Sequence, residues 1–582
     1  MIPFRKIPYG ISDFARIRRE NYYYIDKTRF IPVLEASKDF AFFVRPRRFG
    51  KSLFLSTLEN YYDIARKDDF QRLFGGLDIA RNPTPYANSY LILKLDFSKV
   101  AASGSETLES AFERHLSACM DRFAVRYASI FGTGFATALA EQHPASKLET
   151  IVTQAGIRDL PLYLVIDEYD NFTNAMIRAG GVGDYRAITH GAGFYRAWFK
   201  KFKGSFDRIF MTGVSPVTLD DLTSGFNIAE NVSQDPRFNA MLGFSQAECE
   251  RMYADYLGAG EFTSGNPAAL VRSIKPWYDG YCFAEEKIGK ESVFNSDMVL
   301  YHLKHMVELG EPPKNMIDVN VRTDYEKLRT IADIQRHLAA GSEQDALPVT
   351  EQVLTTPGIA FDLVPSFPAE QITRPANFKS LFHYYGLLSM AGRAEGAVVF
   401  GIPNECVRHQ MFGYLREVYF PLTKDWSDWE EAARAFAYRG NWQPLLEIMA
   451  SNYKASGAVR DGIRGETRLQ GYFQAEFGHL TQFLVHPELE LALGYADFAL
   501  FPERVHFGDV PHSYLVELKY APADATDADL AALRDAGTEQ LRRYAADPAV
   551  PALARGTTLH SLLVLYRFHD MLSATETATA AF

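Results

Sequence analysis

The sequence predicts an α/β protein: a parallel sheet with a phosphate-binding loop, a mostly helical middle region and a second α/β module at the C-terminus. An apolar run from Phe40 enters the tight segment Gly50-Lys51-Ser52 and then a stretch with helical spacing. Short apolar runs alternate with amphipathic ones as far as Val214. Near the end, Asp497, Glu517 and Lys519 fall on two further apparent strands. A chain of 582 residues exceeds one ordinary core, and the motifs divide it into residues 1–243, 244–440 and 441–582.

Taken in order, Phe40 to Val44 is the first strand, Arg45 to Ser52 the loop, and Leu53 to Leu58 the start of a helix. Tyr90 to Phe97 and Leu162 to Ile166 read as the next strands, separated by helical periodicity around Thr107 to Ala140. Arg208 to Val214 is a fourth, after the amphipathic stretch Phe194 to Phe206. Strands alternating with helices imply parallel pairing, with ligands at the carboxyl ends of the strands. Beyond about Gly243 the pattern is more helical, and Pro312-Pro313, Pro365 and Pro368 to Pro375 mark loops or linkers. From Trp442 the sequence predicts a helix over Tyr472 to Leu484 and strands over Tyr495 to Phe501 and Ser513 to Tyr520. A helix over Asp527 to Ala546 and a final strand, Ser561 to Arg567, complete the module; there is no internal repeat.

Hydrophobic residues at 47% and charged residues at 23% describe a folded chain, and the 14% of aromatics read as core side chains before base-stacking ones. A net charge of −11 opposes indiscriminate binding to DNA or an anionic membrane, so any contact with nucleic acid is local. Cys119, Cys249, Cys282 and Cys406 lack the spacing of a zinc site or disulfide framework and read as buried thiols of a cytoplasmic protein. Residues Met1 to Gly10 have no signal-peptide core, and no apolar window reaches the length of a membrane span.

A P-loop needs small residues whose N–H groups cradle phosphate, a lysine for the terminal phosphates and a hydroxyl for magnesium. Gly50, Lys51 and Ser52 supply the second half of Gly-x-x-x-x-Gly-Lys-Ser, but Arg45 followed by Pro46 stands at the first glycine. The strand Leu162 to Ile166 then runs into Asp167-Glu168, where the aspartate supports magnesium and the glutamate polarises the attacking water. In that order the motifs point to ATP and Mg2+. The nucleotide-binding residues are then Arg47, Arg48, Phe49, Gly50, Lys51, Ser52, Leu53, Asp167 and Thr212, with Ser52 and Asp167 toward the metal and Glu168 catalytic. Thr212 and Ser215 either sense the γ-phosphate or cap a turn, and Arg47 and Arg48 either meet phosphate or form a solvated basic loop.

The run Pro46-Arg47-Arg48-Phe49-Gly50-Lys51-Ser52-Leu53 joins Tyr24-Ile25-Asp26-Lys27-Thr28, Asp167-Glu168-Tyr169-Asp170, Thr212-Gly213-Val214-Ser215-Pro216 and Trp277-Tyr278-Asp279-Gly280-Tyr281. Together they resemble the bacterial AAA-ATPase-like family over about Ile2 to Phe283, whose members commonly carry a C-terminal PD-(D/E)XK nuclease-superfamily domain. The resemblance implies a P-loop NTPase sheet and ATP binding, and places the Pro-Arg-Arg loop where this chain has it.

A metal-dependent phosphodiesterase needs carboxylates to fix one or two magnesium ions and a lysine to position or activate water. Glu517 and Lys519, two apart on one strand, project from one face while Val516 and Leu518 face the other. Asp497 is 20 residues earlier, within reach of a hairpin. The bland alternative is a surface salt bridge across two strands. Asp497 and Glu517 are the expected metal ligands, for Mg2+ or Mn2+, and Lys519 the water-positioning cation; all three count as catalytic. The stretch Glu490 to Asp497, the helix Glu476 to Leu480 and Glu539 to Tyr544 resemble flanking motifs of the restriction-endonuclease-like PD-(D/E)XK domain in that family, with Tyr495 standing where the family usually has arginine. Glu490 or Glu476 is then an auxiliary acid. Gln540 and Tyr544, four apart on one helical face, orient the site or touch a phosphate, and His479 either joins them or packs.

These readings converge on an ATP-regulated nuclease acting on DNA or RNA. A signalling switch whose C-terminal module binds a partner or nucleic acid without cutting it is the alternative. A third is an assembly ATPase, a homo-oligomer in which Arg208 or Arg237 reaches a neighbour's phosphate.

Overall fold

In the computed structural model of the chain, residues 5–101, 106–171, 193–216, 229–262, 265–313, 315–318, 358–368, 371–372, 374–411, 426–457, 466–492, 494–504 and 507–582 are described. They divide into two compact units, one of residues 1–313 and 360–404, the other of 314–359 and 405–582.

In the first unit, β1 (Phe40–Val44) leads through the Arg45–Gly50 loop into α1 (Lys51–Tyr62). There follow β2 (Leu91–Asp96), α2 (Leu108–Arg126), α3 (Pro144–Ile157), β3 (Leu162–Asp167), α4 (Phe194–Ser205), β4 (Arg208–Gly213) and a short β5 (Glu230–Asn231). The five strands form one parallel sheet in the order β2-β3-β4-β1-β5. Every residue of β1, β3 and β4 is buried, as apolar strands covered on both faces require. Alternation sorts their side chains. Phe40, Phe42, Val44, Leu164 and Ile166 pack with Phe112, Leu116, Trp198 and Phe202 of α2 and α4, whereas Tyr163 meets Tyr62 of α1 at a ring separation of 5.1 Å. Register places Val44 beside Gly213 and Asp96 beside Asp167, so the carboxyl ends of the strands finish level.

The same unit continues through α5 (Gln246–Gly258), α6 (Pro267–Tyr278), α7 (Ser296–Leu309) and α8 (Pro375–Tyr384) into the hairpin of β6 (Ser389–Ala394) and β7 (Ala397–Gly401). Ser245 and Glu248 close a capping box at the start of α5, and Gly310 ends α7 in the left-handed region, just ahead of Pro312-Pro313.

The second unit layers helices on an antiparallel-edged sheet. Helices α9 (Trp426–Arg439), α10 (Gln443–Gly457) and α11 (Glu466–Phe477) precede β8 (Phe483–Leu491), β9 (Gly494–Pro502), β10 (His512–Ala521), α12 (Asp527–Ala545), β11 (Thr558–Arg567) and β12 (Asp570–Ala581). The sheet order is β12-β11-β10-β9-β8, with only β10 and β11 parallel. Trp429, Phe436, Trp442 and Phe473 pack on Phe498, Tyr514, Val516 and Leu518 on one face. Leu541 and Tyr544 of α12 cover Leu515 and Leu563 on the other. Two sequence expectations are corrected. The helix over Tyr472 to Leu484 ends at Phe477, because Gly478 breaks it and Phe483 opens a strand. The strand ending at Arg567 is not the last, since β12 adds an exposed edge strand of Thr and Ala residues.

All four cysteines are free and buried. Among the described residues no helix is long and apolar enough to cross a membrane.

Candidate functional site

At the end of β1, Arg45 is 1% exposed and donates to the carbonyls of Val44, Ser233 and Phe238 at 3.0, 2.6 and 3.2 Å. Its guanidinium lies 4.1 Å from the ring centres of both Phe43 and Phe283. The residue at the place of the generic first glycine is thus a bolt behind the loop. Burial pulls its pKa down to about 9. Arg48 has φ 69° and its side chain pairs with Asp297 at 2.6 Å, while Ser296 donates to its carbonyl. Phe49 is buried edge-on against Tyr281 at 4.8 Å. Gly50, at φ 92°, starts α1 without a side-chain cap, which leaves the first-turn N–H groups of the helix for an anion. The Lys51 ammonium donates to the carbonyls of Arg45 and Pro46 at 2.9 Å each. Burial lowers its pKa to about 8, against the opposing pull of Asp167. Ser52 and Leu53 follow, both half-buried, on the first turn.

The tips of β3 and β4 face this loop. Asp167 is buried and accepts from the Thr212 hydroxyl at 2.7 Å and from its neighbour's N–H at 3.1 Å. Glu168 takes φ 50°, and burial raises its pKa while the charge of Arg47 opposes the rise. Asp170 accepts from the N–H groups of Val214 and Ser215 at 3.2 and 2.7 Å, tying the two tips together. A Cβ on Gly213 would overlap the Tyr169 ring and the Asp170 carboxylate, so only glycine fits this approach. Between the alternatives for Thr212, the hydroxyl is directed to Asp167; Ser215 uses its backbone.

In the second unit the β9–β10 ladder runs from Leu500–Tyr514 to Phe498–Val516. Beyond it, the Leu518 N–H goes to the Asp497 carboxylate at 2.7 Å. Gln470 of α11 donates to the other oxygen of Asp497 at 3.3 Å. Glu517 is 2% exposed; Lys519 donates to its Oε1 at 2.8 Å, and its Oε2 is buried without a hydrogen-bond partner. Burial first, then the charge of Glu517, raises the pKa of Asp497; burial also raises that of Glu517, against the pull of Lys519. Lys519 lies across Gly537 of α12, where a Cβ would crowd its methylenes.

Residues 8–223 match the family model "Predicted AAA-ATPase", and residues 464–568 match that of the PD-(D/E)XK nuclease superfamily. The chain carries an AAA-ATPase-like domain and a PD-(D/E)XK nuclease superfamily domain. It is also similar to a protein of Azotobacter chroococcum mcd 1 described as "Uncharacterized protein in vnfD 5'region", with 26% identity over 285 residues, 49% of this chain and 50% of that protein. The chain spans about half the length of that curated relative.

In the first unit the motif residues away from the loop have structural work. Lys27 is buried on Glu248 at 2.7 Å and on the Ala240 carbonyl. Gly280, at φ 93°, passes so close to the Pro403 carbonyl that a Cβ would overlap it, and this sets Tyr281 behind Phe49. One expectation fails. Arg208 opens β4, at the end of the sheet opposite the loop, and is 7% exposed between Asp39 at 3.0 Å and the Glu35 carbonyl, so it reaches no neighbour's phosphate. Arg237 is half exposed and paired with Asp235.

In the nuclease-superfamily domain, Glu476 is 2% exposed and accepts from the Trp429 indole at 3.1 Å. It lies six residues from Gln470, about 120° around the helix at ~100° per residue, inside the helical layer. His479 packs edge-on to Trp429 at 6.2 Å. Glu490 pairs with Tyr495 through the β8–β9 register, and its side chain lies outside the described residues. Tyr544 is buried with Gln540 at 3.5 Å, and its pKa is raised first by burial and then by Glu517. Sequence reasoning missed Gln470, and also Glu466, one turn earlier, whose charge bears on both Asp497 and Glu517. The i, i+4 spacing of these two polar residues at the head of α11 was the available signal. Among the described residues no group of three or more His, Cys, Asp or Glu side chains converges as a metal centre. The unpartnered Oε2 of Glu517 beside the half-buried carboxylate of Asp497 nevertheless fits a divalent cation, which keeps part of its water shell.

Proposed function

We propose that the protein binds and hydrolyses ATP in its AAA-ATPase-like domain and thereby regulates a metal-dependent nucleic-acid phosphodiesterase in its C-terminal domain. The observation that carries the reading is the pairing of half-buried Asp497 with buried Glu517, one of whose carboxylate oxygens lacks a hydrogen-bond partner. Leaving such an oxygen buried is costly unless a cation completes it. Asp497 and Glu517 would hold Mg2+ or Mn2+, which supplies positive charge to the scissile phosphate and acidifies water. Leu518 and Gln470 orient Asp497. Lys519, which donates to Glu517, would orient the attacking water.

For ATP, the uncapped N-terminus of α1 and Lys51 would bind the phosphates, and Ser52 and Asp167 would hold Mg2+. Thr212 fixes Asp167, and Glu168 would accept the water's proton, the charge of Arg47 opposing the rise in its pKa that burial causes. The testing experiment is cleavage of labelled DNA and RNA with Mg2+ or Mn2+, with and without ATP. It compares wild type with Lys51→Ala, Asp497→Ala and Lys519→Ala. Loss of cutting in the last two, with altered ATP dependence in the first, is expected. A wild type that binds ATP and cuts neither polymer overturns the nuclease half.

A further inference from the structure

Two consecutive arginines of the phosphate loop serve different neighbours. The charge of Arg47 bears on Lys51 and Glu168, inside the nucleotide site. Arg48 is held by the head of α7 at three points. Its guanidinium pairs with the Asp297 carboxylate at 2.6 Å, its carbonyl accepts from the Ser296 hydroxyl at 2.9 Å, and the Asp297 N–H stands 3.4 Å from the same carbonyl. Ser296 is buried, and the Asp297 side chain is 16% exposed. The head of α7 is itself fixed: Asn295 caps it through the N–H groups of Asp297 and Met298, and the Asn295 N–H goes to the Tyr278 carbonyl at 2.9 Å.

These contacts fall on the peptide that joins Arg48 to Phe49. A trans peptide is planar, with its C=O and N–H pointing opposite ways. A carbonyl drawn to α7 therefore turns the Phe49 N–H to the other side. Arg48 at φ 69° and Gly50 at φ 92° bracket Phe49, which keeps an ordinary negative φ. Such alternation curls successive N–H groups around one concave space that receives an anion. The left-handed region is unfavourable for a residue with a side chain, and the contacts with α7 are what hold Arg48 there. From the other end the peptide is gripped by the Phe49 ring, packed on Tyr281 at 4.8 Å and Phe283 at 5.6 Å.

We propose that Ser296 and Asp297 are positioning residues of the nucleotide site and that α7 is its output: they set the Arg48 peptide so that the Phe49 N–H faces phosphate, and bound phosphate steadies α7 in return. Linkage requires that reciprocity. The chain passes out of the first unit at Pro313, just after α7, so the helix that feels the phosphate is also a covalent route out of that unit. The proposal rests on the ATP-binding reading, and its test uses ADP so that hydrolysis plays no part.

ADP binding to the full chain in Mg2+ is measured by calorimetry, and amide exchange of residues 298–309 is followed with and without saturating ADP. Wild type is compared with Ser296→Ala, Ser296→Thr and Asp297→Asn. ADP is expected to slow exchange in α7 of the wild type. Ser296→Ala should weaken ADP binding about 5-fold, as for one hydrogen bond, and Asp297→Asn about 10-fold or more, as for a charged one. In both, the exchange response of α7 at saturation shrinks, whereas Ser296→Thr keeps the hydroxyl and behaves as wild type. A merely structural role would lower the melting midpoint of the free protein and leave that response intact. Wild-type affinity in both Ser296→Ala and Asp297→Asn overturns the proposal, as does a wild-type α7 whose exchange ignores saturating ADP; with ADP bound, the ATP-binding reading survives either result. A wild type that binds no ADP sinks that reading, and the proposal with it.

Discussion

The Thr212 hydroxyl donates to the Asp167 carboxylate at 2.7 Å across adjacent strand tips, so one strand aims the acid of the next. Replacing the hydroxyl by a methyl, Thr212→Val, keeps the shape and leaves Asp167 with its backbone donor alone. A loss of about 1–2 kcal/mol in stability is expected. ATP turnover should fall further than ATP affinity, because phosphate contacts by α1 are untouched; steady-state kcat beside a nucleotide-binding isotherm checks this.

Lys51 is the group whose titration the nucleotide should feel. In the free protein burial depresses its pKa from 10.5 to about 8, and phosphate would restore the charged form. Binding then takes up a proton above about pH 8, so ATP affinity should decline as pH rises through that value and flatten below it. Calorimetry in buffers of different ionisation enthalpy reads the proton directly. Lys51→Ala should abolish both the uptake and most of the affinity.

Restoring the generic glycine at the first loop position should harm this protein. Arg45→Gly removes donors from three buried carbonyls and the cation between Phe43 and Phe283. A loss of more than about 3 kcal/mol is expected, seen as a fall in the thermal midpoint without a gain in nucleotide binding.

Asp497 gives a pH signature without any catalysis. Its pKa rises from 3.8 toward about 7, so the folded state holds a proton that the unfolded chain releases. That contribution is present below the unfolded value and is lost as pH climbs through the folded one. In chelator, Asp497→Asn should therefore gain stability relative to wild type between about pH 4 and pH 7. It should also lose any rise in thermal midpoint that Mg2+ or Mn2+ gives the wild type. Denaturant melts at both ends of the window decide it.

The parallel strands were legible because both their faces are buried, which writes them as unbroken apolar runs such as Leu162 to Ile166. Strand β8 was not, because Pro487 interrupts Phe483 to Leu491; at the edge of the sheet the missing N–H costs little. Strand β12, with Thr and Ala in place of large apolar residues, carries almost no pattern to read. At the sites, the spacing of Glu517 and Lys519 and the order Lys51 before Asp167 could be read locally. The partners could not: Arg48 finds Asp297, Glu476 finds Trp429 and Asp497 finds Gln470 only through tertiary packing.

The alternation of β10 has a consequence for folding errors. Val516 and Leu518 fill the core under the helices while Glu517 and Lys519 face α12. A slip of one residue would drive a carboxylate and an ammonium into that apolar layer and put Val and Leu where the acid belongs. A misregistered chain would thus lose its interior and its chemistry in the same stroke. Quality control that detects instability would then remove inactive molecules as well, with no need to sense activity.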